Sequence, residues 1–179
     1  IGLLVIVLSV GCAHHTPPPG APQATHDAAD SGPSRFTLAF GSCANQARPI
    51  PLLDHMRLRG PDAFVFLGDN VYADTEDEGH MRATYQRLAD KPEFQRLLAS
   101  TRVEATWDDH DYGLNNAGRD YKHKKKSRAD LFSFLNVPKN NSAHQRTGAY
   151  QSYDISPDVK LILLDNRYFK SEYAPKAYN

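Results

Sequence analysis

Three short segments of the chain concentrate the side chains that could do metal or acid–base chemistry. Cys43 follows Phe40-Gly41-Ser42. Asp69 lies in Gly68-Asp69-Asn70, with Tyr72 three residues on. Asp108-Asp109-His110-Asp111 comes directly after Trp107. Brought together, they would offer a thiolate, carboxylates, a phenol and an imidazole. Mutual repulsion and desolvation would raise the pKa values of so many anionic groups, and bound cations are the usual remedy. Carboxylates suit hard ions such as calcium, magnesium or manganese, whereas a thiolate with a phenolate suits iron(III) or a softer transition metal. A mixed, multi-metal site is the economical reading. Each segment alone is weak. Gly-Asp after a strand is a common turn, and a strand-end Cys is ordinarily a small buried hydrophobe. Trp107 reads first as core, and Asn115-Asn116 reads either as a simple turn or as part of the site. Asp-Asp-His-Asp weighs more, because four adjacent polar residues at the end of an apolar strand are expensive to bury.

The surrounding pattern says how these segments would meet. Phe36 to Phe40 alternates large and small residues, as in a strand. Ile50 to Leu58 is a short amphipathic helix closed by Gly60-Pro61. Ala63 to Leu67 is a continuous apolar run, the mark of a buried parallel strand. Met81 to Ala89 has helical spacing. A second helix runs from Lys91 to Ser100, with Pro92 in its first turn. Val103 to Trp107 is another short strand. Tyr121 to Leu135 reads as a helix stopped before Pro138. Gly148 to Ile155 and Val159 to Leu164 read as strands joined by a turn at Ser156-Pro157-Asp158. This order predicts an α/β fold with a mixed, largely parallel sheet and an antiparallel addition. Right-handed crossovers would bring the ends of the first three strands to one edge, where ligands of open parallel sheets gather.

The 179 residues carry equal numbers of acidic and basic side chains, so the whole-chain balance gives no case for a nucleic-acid binder. One local basic run, Lys122, Lys124, Lys125, Lys126 and Arg128, has two readings. It is a solvated helix face, or a rim that attracts anionic substrate such as nucleic acid or a teichoic-acid-like polymer. No Gly-x-Gly-x-x-Gly follows any predicted strand, which sets a dinucleotide-binding domain aside. Ile1 to Val10 is apolar but far shorter than the ~20 residues of a spanning helix, and it has the length of a signal-peptide h-region. Gly11-Cys12 after it resembles a lipobox, although Ser9 stands where Leu is usual. A plain signal peptide or a buried N-terminal strand is the alternative. The expected organisation is a signal segment with lipidated Cys12 over 1–12, a disordered tether over 13–34, and the N-terminal part of the α/β domain over 35–179. His14, His15 and His26 fall in the tether and receive no metal role. The expected location is exported, in the periplasm or at the cell surface, with membrane contact only through the lipid anchor. Lipid on Cys12 would leave Cys43 unpaired in an oxidising compartment, and a Cys12–Cys43 disulfide is the competing account.

Taken in order, Phe40-Gly41-Ser42-Cys43, Gly68-Asp69-Asn70-Val71-Tyr72, Trp107-Asp108-Asp109-His110-Asp111 with Asn115-Asn116, and Leu163-Leu164-Asp165-Asn166-Arg167-Tyr168 resemble the motifs of the PhoD-like (alkaline phosphatase D) phosphatases. These are grouped with the calcineurin-like metallophosphoesterases, and the resemblance spans roughly Phe36 to Phe169. It implies a four-layer αββα sandwich with metals, iron and calcium, at the strand carboxyl edge. It implies that Cys43 and Tyr72 ligate iron and that Asp69 bridges two metal sites. Asp109 becomes a ligand where related enzymes use Asn, and Asn116 a weaker candidate ligand. His110 becomes the group that contacts phosphate and helps the leaving group depart. The implied substrate is a phosphate monoester or diester, with nucleic acid a substrate rather than a stable partner. Two departures stand out. Asp111 replaces a common Glu, and the family's later Gly-Asp-x-His segment has no counterpart here. The expectation is therefore a partial sandwich, truncated at the C-terminus and incomplete as a catalyst by itself. The rival is a non-catalytic lipoprotein that binds phosphate-containing polymer.

Overall fold

The computed structural model describes residues 36–172; the signal, lipobox and tether segments read from the sequence lie outside the described residues. Three strands, β1 (Leu38–Gly41), β2 (Ala63–Leu67) and β3 (Arg102–Thr106), form a parallel sheet in the order β1-β2-β3. Its register runs from Leu38 opposite Ala63 and Ala63 opposite Arg102 up to Gly41 opposite Phe66 and Leu67 opposite Thr106. The central strand is the continuous apolar run, and four of its five residues are buried, as expected where both faces are covered.

Alternation along β2 divides the core in two. Phe64 and Phe66 face helices α1 (Pro51–Leu58), α2 (Glu78–Ala89), α3 (Pro92–Leu98) and α5 (Lys124–Phe134), and join one cluster with Leu53, Leu88, Phe94, Leu97 and Leu131. The Phe66 and Phe94 rings are 5.9 Å apart and Phe94 stacks on Phe134 at 5.4 Å. Each such fully buried ring contributes about 1.5–3 kcal/mol. Val65 points the other way, into a second cluster with Leu161 and Leu163. Those two belong to β5 (Val159–Leu163), which pairs antiparallel with β4 (Gln151–Ser156). The helical starts follow local chemistry: Pro occupies the first turn of α1 and of α3, and the Asp77 carboxylate caps α2 by accepting from the His80 amide.

The element order matches the sequence reading, with two differences. The antiparallel pair is a two-stranded sheet of its own stacked on the parallel one, rather than an extension of it. And Asp109 to Tyr112, read as the polar tail of a strand, begins a single-turn helix, α4. Asp111 accepts from the Asp108 amide at 2.7 Å, which satisfies a donor that the start of that turn would otherwise orphan.

Candidate metal centre

The three strand ends share one edge, and the loops that leave them are stitched together before any side chain is considered. The Cys43 amide donates to the Gly68 carbonyl and the Ala44 amide to the Asp69 carbonyl, continuing the β1–β2 pairing past the strands. Gly68 permits this approach. Its φ is +108°, and a Cβ there would come within 2.7 Å of the Asp108 Cβ. Five non-glycine residues among those described have positive φ. Four of them, Cys43, Asp69, Asp74 and Asn116, line this edge or hold a group that does. Such conformations cost about 1 kcal/mol or more each and persist where the surroundings over-determine them, most often at functional sites.

Cys43, Asp69, Tyr72, Asp109 and His110 come together. One ligand atom from each of Asp69, Asp109 and His110 lies within 4.8 Å of the other two. The Cys43 thiol, free and exposed, reaches Asp69 Oδ2 at 3.6 Å. The Tyr72 ring lies 4.5 Å from the His110 ring, and Cys43 is among the groups that raise its phenol. Asn116 is placed differently. Its side chain is exposed, and its backbone amide donates to Asp109 Oδ2 at 2.7 Å. Trp107 is fully buried core, with its indole N–H on Asp165 at 2.9 Å.

The electrostatics are those of a site short of positive charge. Burial, with the charges of Asp108 and Asp109 beside it, pushes the Asp69 carboxyl above its usual range. Its Oδ1 is buried without a hydrogen-bond partner. Burial likewise raises the Tyr72 phenol, helped by its contact with Cys43. Asp109 goes the other way. Burial opposes its ionisation, but the Asn116 amide and the Arg167 charge outweigh it and hold the carboxyl low. For His110, too, burial is overcome: Asp74 raises the imidazole above its usual value.

Three groups that position this edge received no role from the sequence, although Asp165 and Arg167 lie in its fourth motif. Asp74 holds His110 Nδ1 through both carboxylate oxygens, at 2.7 and 2.8 Å, leaving Nε2 as the ring nitrogen not engaged by Asp74. Arg167, buried, donates to Asp108 Oδ1 and reaches Asp109 Oδ1 at 3.2 Å. Asp165 accepts from Trp107, Ala149, Arg167 and Tyr168, which locks the end of β5 against the end of β3. Asp111, fully buried, takes a structural part. It accepts from the Asn70 amide and side chain and from Asp108, and burial raises its carboxyl well above the usual range.

The donor set suits a cation. The buried Asp69 oxygen without a partner, the Asp109 carboxylate, an imidazole and the nearby Cys43 thiol and Tyr72 phenol form a donor set suited to positive charge. Compared with solved structures, the fold matches that of PhoD over 78% of this chain, with a TM-score of 0.56 and 20% sequence identity. The chain has a PhoD-like fold. It spans 33% of that PhoD chain, about one third of its length. The sequence matches no protein-family model and no curated protein. The described residues form a helical layer and two stacked sheets, with the candidate centre at the carboxyl edge of the parallel one. None of the described helices is long and apolar enough to cross a membrane.

Proposed function

We propose that this chain provides the strand-edge part of a metal-dependent phosphoesterase site, which hydrolyses a phosphate monoester or diester. One observation carries the reading: the partnerless buried Oδ1 of Asp69, set among Asp109, His110 and Cys43. Asp69, Asp109, Cys43 and Tyr72 would hold the cations, with iron favoured by the thiol–phenol pair and calcium by the carboxylates. When bound, such ions supply charge neutralisation for the phosphate oxygens and a more acidic water. The protein's own groups do the rest. Asp74 fixes the ring of His110 and favours its protonated form, so Nε2 can hand a proton to a departing alkoxide. Arg167 and the Asn116 amide fix both oxygens of Asp109, limiting its freedom to rotate away.

The PhoD-like fold supports this reading, and so does the clustering of backbone strain at the same edge. Export and a lipid anchor at Cys12 belong to the proposal and would be tested by labelling the expressed protein with a radioactive fatty acid. For the activity, the full-length protein should hydrolyse a chromogenic phosphodiester or phosphomonoester in the presence of calcium and iron, and lose turnover in chelator. Binding of phosphate-containing polymer with no hydrolysis under any metal condition would favour the non-catalytic lipoprotein instead.

A further inference from the structure

The ladder that joins the first two strand-end loops has a last rung made by a side chain. Beyond Cys43–Gly68 and Ala44–Asp69, the Gln46 carboxamide pairs with the backbone of Tyr72 in both directions. Gln46 Nε2 donates to the Tyr72 carbonyl at 3.0 Å, and the Tyr72 amide donates to Gln46 Oε1 at 2.9 Å. Gln46 is 8% exposed, although it sits in a turn between β1 and α1. A buried primary amide in such a place needs its hydrogen bonds satisfied, and here Tyr72 satisfies two of them.

The consequence is local. Asp69 is held by the Ala44 amide, and the residues after Tyr72 are held from the other side, by Ala73 and Asp74 amides donating to the His110 carbonyl. Tyr72 lies between these anchors, and Gln46 engages its amide and its carbonyl together. Its ring lies 4.5 Å from the His110 ring, so a shift of its backbone moves that contact. Other side chains fit this task poorly. Glu offers two acceptors and no donor for the Tyr72 carbonyl; Asn is one methylene short; Met fills the volume with no hydrogen bond.

We propose that Gln46 is a positioning residue whose two-point amide pairing with the Tyr72 backbone sets the phenol over the candidate centre. Its role in cation binding rests on the metal-centre reading above; its role in placing the ring does not. Two measurements on the full chain separate these. In the metal-free protein, the nuclear Overhauser cross-peak between the Tyr72 and His110 rings should weaken at least ~3-fold in Gln46→Met and in Gln46→Glu. Gln46→Asn, milder in shape, serves if the larger change prevents folding. An undiminished cross-peak in a folded variant overturns the proposal whatever the chain does with phosphate esters. The second measurement is manganese(II) titration by calorimetry in a double-mutant cycle with Tyr72→Phe. Gln46→Met should weaken binding ~10-fold in the parent, the range of outer-shell partners of metal ligands, and under ~2-fold in the Tyr72→Phe background. Equal losses in both backgrounds would mean Gln46 acts on the loop generally, and would overturn the link to Tyr72. A parent that binds no manganese sinks the metal-centre reading, while the ring cross-peak still decides the placement.

Discussion

Two regions of this molecule are dense in charge, the carboxyl edge of the parallel sheet and helix α5, and they treat that charge in opposite ways. Along α5 the basic side chains of Lys124, Lys126 and Arg128 find conventional structural partners. Lys126 pairs with Glu78, and Lys124 reaches the Arg119 carbonyl and lies 4.7 Å over the Tyr168 ring. Arg128 donates to the carbonyls of Ala143, His144, Arg146 and Gly148, and stacks over Phe132. At the sheet edge the acidic side chains crowd one another, one carboxylate oxygen has no partner, and the backbone itself is held in strained conformations. A run of charge in sequence is therefore a poor pointer to function. What distinguishes the site is charge that the protein gathers and leaves incompletely compensated.

Substitutions can break that contrast, beginning with the largest expected effect. Asp69→Asn in the full-length protein should lower turnover by more than the ~100-fold typical of outer-shell partners. It should not unfold the chain. Asp69 has a folded-state pKa above its unfolded value, so it favours the fold at low pH, and that contribution fades as pH rises through the folded pKa. Removing the charge should leave the metal-free protein at neutral pH at least as heat-stable as the parent. Next, His110→Ala should cost ~10²–10⁴-fold in kcat, the usual range for a general acid.

Asp74→Asn should be smaller, ~10-fold, with a diagnostic pH profile. Asp74 holds the His110 pKa up against burial, so without it the imidazole loses its proton at lower pH. The descending limb of the kcat profile should then move towards acid, and an unmoved limb would remove Asp74 from the mechanism.

On the α5 side the readout is stability. Arg128→Ala strips charged hydrogen bonds from several carbonyls and should cost about 2 kcal/mol, or ~4–8 °C in Tm, with activity little changed. The smallest effect belongs to exposed Lys125, where Lys125→Ala should stay within ~0.5 kcal/mol and alter phosphodiester turnover less than ~2-fold. A strong, salt-sensitive loss there would favour the substrate-attracting rim over the solvated helix face.

Much of the fold was legible because it is written in apolar runs. Ala63 to Leu67 announced a central strand, and the helices around it announced parallel crossovers, which in turn placed Cys43, Asp69 and Asp109 on one edge. What escaped has no periodic signal. The α4 turn is four residues long, and three of them are Asp or His. Asp74 is one acid in an irregular loop, and its pairing with His110 spans 36 residues. Arg167 meets Asp108 across 59 residues, through the stacking of two sheets that sequence alone did not separate. Pairings of this kind follow from topology, and the polar residues that make them look like any other surface residues.

The claim on which the account rests is that the edge formed by Cys43, Asp69, Tyr72, Asp109 and His110 is a cation site. Crystals of the full-length protein grown with manganese or iron, with anomalous diffraction recorded at the metal edge, address it directly. The account predicts an anomalous peak at bonding distance, about 2.0–2.2 Å, from carboxylate oxygens of both Asp69 and Asp109. A well-ordered edge with no peak there, under metal concentrations that support turnover, would contradict it.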